Sequence, residues 1–176
     1  MRASVFIGTS VDGFIARPNG AVDWLPDGVE DHGYTAFFAS VDALVIGRGT
    51  FETVLGFGEW PYQQKPVVVL SSKPVDLSAA RGAPVEQMGG EPAEIVARSA
   101  ARGLEHIYVD GGVTIQRFLR AGLIQRLVIT RIPVLIGQGI PLFGPLEADV
   151  RLRHVATRQY SSGLVQSEYA VVRTTG

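Results

Sequence analysis

Cysteine is absent from the 176 residues, which removes disulfide scaffolds, cysteine-ligated zinc, iron–sulfur clusters and thiol nucleophiles together. Lysine is scarce as well, since Lys65 and Lys73 are the only two among 16 basic residues. No apolar run approaches the roughly 18 residues of a membrane span, and Val5-Phe6-Ile7 is broken by Thr9, Ser10 and Asp12 too soon for a signal-peptide core. There is no block of one charge: 16 basic against 17 acidic residues leave a net charge of −1, which argues against a nucleic-acid partner. A soluble, cytoplasmic protein with no membrane partner is expected. Familiar motifs are missing too. Gly47-Arg48-Gly49 is followed by Glu52 where a dinucleotide fingerprint needs its third glycine, no glycine precedes a lysine as in a Walker A loop, and no Gly-x-Ser-x-Gly elbow occurs. His32, His106 and His154 share no metal-ligand spacing, so no metal is expected.

What is present is punctuation. The 21 glycines and 10 prolines, about 18% of the chain against roughly 12% in average usage, stand between apolar runs and form no repeat. With 46% hydrophobic and 19% charged residues the chain reads as globular, one domain over 1–176. Strands are expected at Ala3–Gly8, Ala43–Gly47, Pro66–Ser71, Pro84–Met88, Glu105–Asp110, Arg126–Ile136, Arg151–Tyr160 and Leu164–Arg173. Leu44-Val45-Ile46 and Val67-Val68-Val69-Leu70 are continuously apolar, as central strands covered on both faces are. Helices are expected at Glu30–Ser40, Glu91–Arg102 and Thr114–Arg120, and Ser161-Ser162-Gly163 joins the last two strands as a hairpin. The pattern predicts an α/β fold of three layers around a mixed, mostly parallel sheet closed by a C-terminal antiparallel hairpin.

Two glycine pairs stand where apolar strands end, the edge at which open α/β sheets bind ligands. After Leu44-Val45-Ile46 comes Gly47-Arg48-Gly49-Thr50, where glycine admits close approach, Thr50 offers a hydroxyl and Arg48 a bidentate fork. After Ile107-Tyr108-Val109-Asp110 come Gly111-Gly112-Val113-Thr114, which open a helix whose free N–H groups favour an anion. A third junction, Leu70-Ser71-Ser72-Lys73, adds hydroxyls and a lysine. Pyrophosphate at the glycines and a phosphomonoester at Arg48, Ser71, Ser72 and Lys73 together suit NADPH better than NADH.

Four motifs in order, Ser10-Val11-Asp12-Gly13-Phe14-Ile15-Ala16, Gly47-Arg48-Gly49-Thr50-Phe51-Glu52, Val69-Leu70-Ser71-Ser72 and Asp110-Gly111-Gly112, together with Pro133 to Phe143, resemble the dihydrofolate reductase superfamily. The likeness points to the bacterial branch related to the reductase domain of riboflavin biosynthesis. It implies a dihydrofolate reductase-like fold and NADPH along the strand ends. Arg48, Ser71 and Ser72 match positions that hold the 2′-phosphate, and Thr50, Gly111 and Gly112 match the pyrophosphate cradle, with Gly47, Gly49, Leu70, Val113 and Thr114 beside them. Ser10 to Trp24 matches a mobile loop closing over the nicotinamide. Asp31, 19 residues before Thr50, resembles the acid that assists pterin protonation, and Thr130 the threonine paired with it. Asp12 joins them as a candidate catalytic group, and Trp24, Tyr34 and Phe38 are candidates for the substrate wall.

Asp31 also reads as an ordinary carboxylate at a helix start, and Asp27 or Glu30 could take the site-facing place. The resemblance implies hydride transfer to a small heterocycle of the pterin or dihydrofolate kind. Two alternatives stand beside it: a riboflavin-pathway reductase of a ribosylamino-pyrimidine phosphate, with Arg17 or Arg131 on the substrate phosphate, or a non-catalytic nucleotide-binding module. Homodimer pairing through Leu152–Val172 is a further expectation.

Overall fold

Runs of β-branched residues build the centre of the molecule. In a computed structural model, which describes residues 1–26 and 30–172, the strands are β1 (Arg2–Ser10), β2 (Phe14–Ala16), β3 (Ala43–Gly47), β4 (Val67–Leu70), β5 (Val85–Met88), β6 (His106–Asp110), β7 (Arg126–Ile132), β8 (Ile140–Pro141), β9 (Leu152–Gln159) and β10 (Val165–Val171). The helices are α1 (Tyr34–Ala39), α2 (Arg48–Leu55), α3 (Pro92–Ala101) and α4 (Gly112–Arg120). An eight-stranded sheet runs in the order β5-β4-β3-β6-β1-β7-β10-β9, parallel from β5 to β7 and antiparallel over β7, β10 and β9. The mixed, mostly parallel sheet with its terminal hairpin is therefore present.

Strand alternation sends side chains into two cores, one on each face. Val5, Ile7, Val45, Ile107 and Val109 pack against Ile95 of α3 and Ile115 and Phe118 of α4. Leu44, Ile46, Val67, Val69 and Tyr108 pack against Phe37 of α1 and Phe51 and Val54 of α2. Each of these large buried side chains stabilises the fold by about 1.5–3 kcal/mol relative to exposure. The chain enters at β1, moves outward through β3, β4 and β5, and returns to insert β6 between β3 and β1. That reversal leaves a crevice beyond the carboxyl ends of β3, β6 and β1.

Local chemistry explains where elements begin and end. A reciprocal Glu91–Glu94 capping box with Pro92 in the first turn starts α3. The helix expected from Glu30 starts only at Tyr34, because His32 and Gly33 have φ of 47° and 82°. The residues after Gly47 form two full turns of α2, a helix not among the three expected, because Phe51 and Val54 are buried against the sheet. β7 stops at Ile132, before Pro133, rather than at Ile136. A two-stranded sheet of β2 and β8 was not anticipated; β8 is two residues long and contains a proline. Arg173, the expected end of the last strand, lies outside the described residues. No helix among the described residues is long and apolar enough to cross a membrane.

Candidate active site

Two helices start at the crevice without side-chain caps. α2 leaves β3 directly through Gly47, and α4 leaves β6 through Gly111, whose φ is 96°. Their first-turn N–H groups and positive dipole ends face one cleft of about 850 Å³. The two turns interlock: a Cβ on Gly47 would meet Thr114 Oγ1 at 2.8 Å, and a Cβ on Gly111 would overlap Thr50 Oγ1. Gly112 is close-packed too, with Ile140 and Pro141 where its Cβ would go. Gly49 differs, because a Cβ there would meet no protein atom within 4 Å. Gly49 lines the cleft, and the space where its Cβ would stand is open.

All eleven residues expected around the cofactor come together. Gly47, Arg48, Gly49, Thr50, Leu70, Gly111, Gly112, Val113 and Thr114 line the cleft. Ser71 and Ser72 line an adjoining pocket of about 430 Å³, which shares Arg48, Leu70 and Arg117 with the cleft and adds Lys73. Arg48 donates from Nε to Glu52 Oε1 at 2.6 Å. The Ser71 hydroxyl donates to the Lys73 carbonyl at 2.6 Å and accepts from its N–H at 3.1 Å. Arg117 reaches the Gly90 carbonyl at 3.0 Å and Glu91 at 3.4 Å. Three cations thus surround one small pocket beside two uncapped helix starts.

Toward β1 the cleft changes character. Its lining there includes Phe6, Gly8, Val22, Leu25, Tyr62 and Tyr108, with Asp110 as the carboxylate. Asp110 is the last residue of β6 and shares a face with Tyr108 by strand alternation. Burial pushes its carboxyl up to about 6, against the opposing pull of the Gly111 N–H, which it accepts at 2.7 Å. Burial and the Asp110 charge push the Tyr34 phenol up to about 12 and raise Tyr62 and Tyr108 as well. Tyr108 donates to the Phe6 carbonyl at 2.7 Å. A carboxyl that is part protonated near neutral pH therefore lies on the cleft, next to aromatic side chains.

Sequence comparison identifies this architecture: the family model of the RibD C-terminal domain matches residues 4–166. The chain belongs to that family. This RibD C-terminal domain is 32% identical over 169 residues to the uncharacterized protein YwjB of Bacillus subtilis (strain 168), covering 94% of this chain and 95% of the relative. A crystal structure from Shewanella sp. PV-4, provisionally named a riboflavin biosynthesis protein, is 40% identical with a TM-score of 0.91, over 98% of this chain and all of that one (100%). The dihydrofolate reductase of Enterococcus faecalis, solved with NADP(H), shares the fold at 19% identity with a TM-score of 0.70, over 98% and 97% of the two chains.

In this RibD C-terminal domain the expected catalytic and substrate residues stand elsewhere. Asp31 is exposed, and its Oδ1 accepts from the Thr35 N–H at 2.8 Å and hydroxyl at 2.6 Å. The Thr35 hydroxyl bond, foremost, holds its carboxyl below the usual range, the wrong direction for a proton donor. Thr130 is buried and accepts from Gln166 Nε2 at 2.9 Å, so no Asp31–Thr130 hydrogen bond forms. Asp12 accepts from the N–H groups of Ile136 and Gly137 at 3.3 and 2.7 Å, tying the β1–β2 turn to the segment after β7. Hydrogen bonding, that of Ser10 foremost, lowers its carboxyl as well. None of the three lines the cleft.

Tyr34 and Phe38 stack at 5.6 Å on the helix stripe that packs toward Phe6, and Trp24 does not line the cleft although its neighbours Val22 and Leu25 do. Glu30 approaches His32 at 3.3 Å and is not on the cleft, while Asp27 lies outside the described residues. Of the segment Ser10 to Trp24, expected as a closing loop, Ile15, Ala16, Pro18, Asn19, Gly20 and Val22 line one side of the cleft. Asp110, Tyr62 and Arg117 were not anticipated. For Asp110 the signal was available, because the alternation His106, Tyr108, Asp110 places all three on one face.

Proposed function

We propose that this protein is an NADPH-dependent reductase of a small, flat heterocycle. The observation that carries the reading is the convergence of two uncapped helix starts on one cleft that opens into a pocket ringed by Arg48, Lys73 and Arg117. The residues fit the cofactor. Free N–H groups of α2 and α4 suit a pyrophosphate, the void at Gly49 leaves room for it, and guanidinium groups suit a 2′-phosphate. When bound, the reduced nicotinamide supplies the hydride. The glycine junctions and the loop from Ala16 to Leu25 hold the reactants in register and exclude water. Asp110, held by the Gly111 N–H and raised by its burial, delivers the proton to the reduced ring. A pterin substrate loses the residues that suggested it, because Asp31 and Thr130 do not meet on the cleft.

Titration with NADPH, followed by tryptophan emission, tests the reading. Trp60 packs edge-on against Phe51 of α2 at 6.1 Å and Tyr62 at 5.3 Å, so filling the cleft changes its surroundings. Saturable quenching, followed by loss of NADPH absorbance when a reducible heterocycle is added, is expected. Quenching without turnover across a broad set of heterocycles supports a nucleotide-binding module instead, and no quenching overturns both.

A further inference from the structure

The charges on the cleft are separated along the sheet. Among the described residues Arg48 and Arg117 are the cations that line it, and both also border the pocket of Ser72 and Lys73 beyond β4. Gly8, at the other end, stands on β1, two strand positions from β3, whose end carries Arg48, while Arg117 of α4 reaches back to Gly90 and Glu91 beyond β5. At about 4.8 Å per step the two positions are roughly 10 Å. The charge close to that end is Asp110, and it is negative or neutral.

Neither arginine that a substrate phosphate would call on, Arg17 or Arg131, lines the cleft. Arg17 grips Asp23 with two hydrogen bonds of 2.6 and 3.0 Å. Arg131 follows Thr130, which pairs with Gly8, so strand alternation turns Arg131 to the opposite face of the sheet. The sequence Asp27-Gly28-Val29 contains no lysine or arginine. A phosphate monoester carries about −1.5 to −2 at pH 7, and moving it from water to an apolar wall beside a carboxyl, away from the arginines at the cofactor end, is unfavourable.

Resting on the reductase reading above, we infer that the substrate end of this cleft selects an unphosphorylated, uncharged heterocycle, and that its cations serve the cofactor alone. Phe6, Val22 and Leu25 offer apolar contact to such a ring, with Tyr62 and Tyr108 packed behind them, and Asp110 offers one polar group to orient it.

Calorimetry on the wild-type protein tests this with matched pairs: riboflavin and its 5′-phosphate, and a 6-ribosylamino-pyrimidine and its 5′-phosphate. Uptake of NADP⁺ is measured first, and the pairs are then titrated into the saturated complex, in which the cationic pocket is filled and no turnover occurs. The expected result is that an unphosphorylated member binds and its phosphate ester binds at least tenfold more weakly. Leu25→Arg, which places a guanidinium beside Gly8, is expected to shrink that ratio. An ester that binds as tightly as its partner in the saturated wild type, or no binding by either unphosphorylated ring, overturns the inference while leaving the cofactor site standing. Failure to take up NADP⁺ overturns the reductase reading and this inference with it.

Discussion

The hydroxyl of Thr114 lies 2.8 Å from where a Cβ on Gly47 would stand, and Thr50 bears the same relation to Gly111. Each helix start thus carries a threonine that fills the space left by the other start's glycine, which fixes the distance between the two sets of free N–H groups. Gly47→Ala and Gly111→Ala are expected to destabilise the fold by about 1–3 kcal/mol, the larger loss at Gly111, where alanine would also have to adopt a positive φ. Urea unfolding midpoints measure this. Wild-type midpoints for both variants would contradict the interlock.

Gly49 predicts the opposite pattern. A methyl there touches no protein atom, and alanine favours a helix by roughly 0.5–1 kcal/mol over glycine. Gly49→Ala is expected to match or slightly exceed wild-type stability and to lose at least tenfold in NADPH affinity. A stable variant with unchanged affinity would show that the space beside Gly49 holds no cofactor.

Glu52 competes for the Arg48 guanidinium through an exposed i,i+4 pair of 2.6 Å. Such pairs contribute little to stability, so Glu52→Gln is expected to leave the unfolding midpoint nearly unchanged. It should raise the preference for NADPH over NADH by about two- to fivefold, whereas Arg48→Ala should remove most of it. Equal changes for the two nucleotides in either variant would separate Arg48 from the 2′-phosphate.

Asp110 links the site to stability. Burial raises its carboxyl from 3.8 to about 6, so the folded protein holds a proton that the unfolded chain releases first. Its contribution is fully favourable below pH 3.8 and is lost as pH rises through about 6. Asp110→Asn keeps an acceptor for the Gly111 N–H and cannot ionise. It is expected to exceed wild-type stability by on the order of 1–3 kcal/mol at pH 8 and to equal it near pH 3.5. Its turnover should fall at least a hundredfold. A turnover near that of the wild type would remove Asp110 from proton delivery.

Much of the frame was legible because burial on two faces leaves a plain mark: Ala43–Gly47 is a strand with the expected bounds, and the apolar run at Val67 is covered on both faces, though it lies next to the edge strand and not at the centre. The glycine junctions were legible for the same reason, as interruptions at strand ends. α2 was less so, since Gly49, Thr50 and Thr53 are weak helix formers and the helix exists through the burial of Phe51 and Val54. The proposed proton donor was not legible because position along the chain suggested Asp31. What distinguishes Asp31 from Asp110 is solvation, and solvation depends on the Thr35 bonds in one case and on packing beside Tyr108 in the other.

The central claim is that α2, α4 and the pocket of Arg48, Lys73 and Arg117 hold a dinucleotide bearing a 2′-phosphate. Calorimetric dissociation constants for NADPH and NADH on the wild-type protein, at one salt concentration, test it most directly. The account predicts saturable binding of both, with NADPH at least tenfold tighter and that advantage shrinking as salt is raised. Equal affinities, or no binding of either, would contradict it.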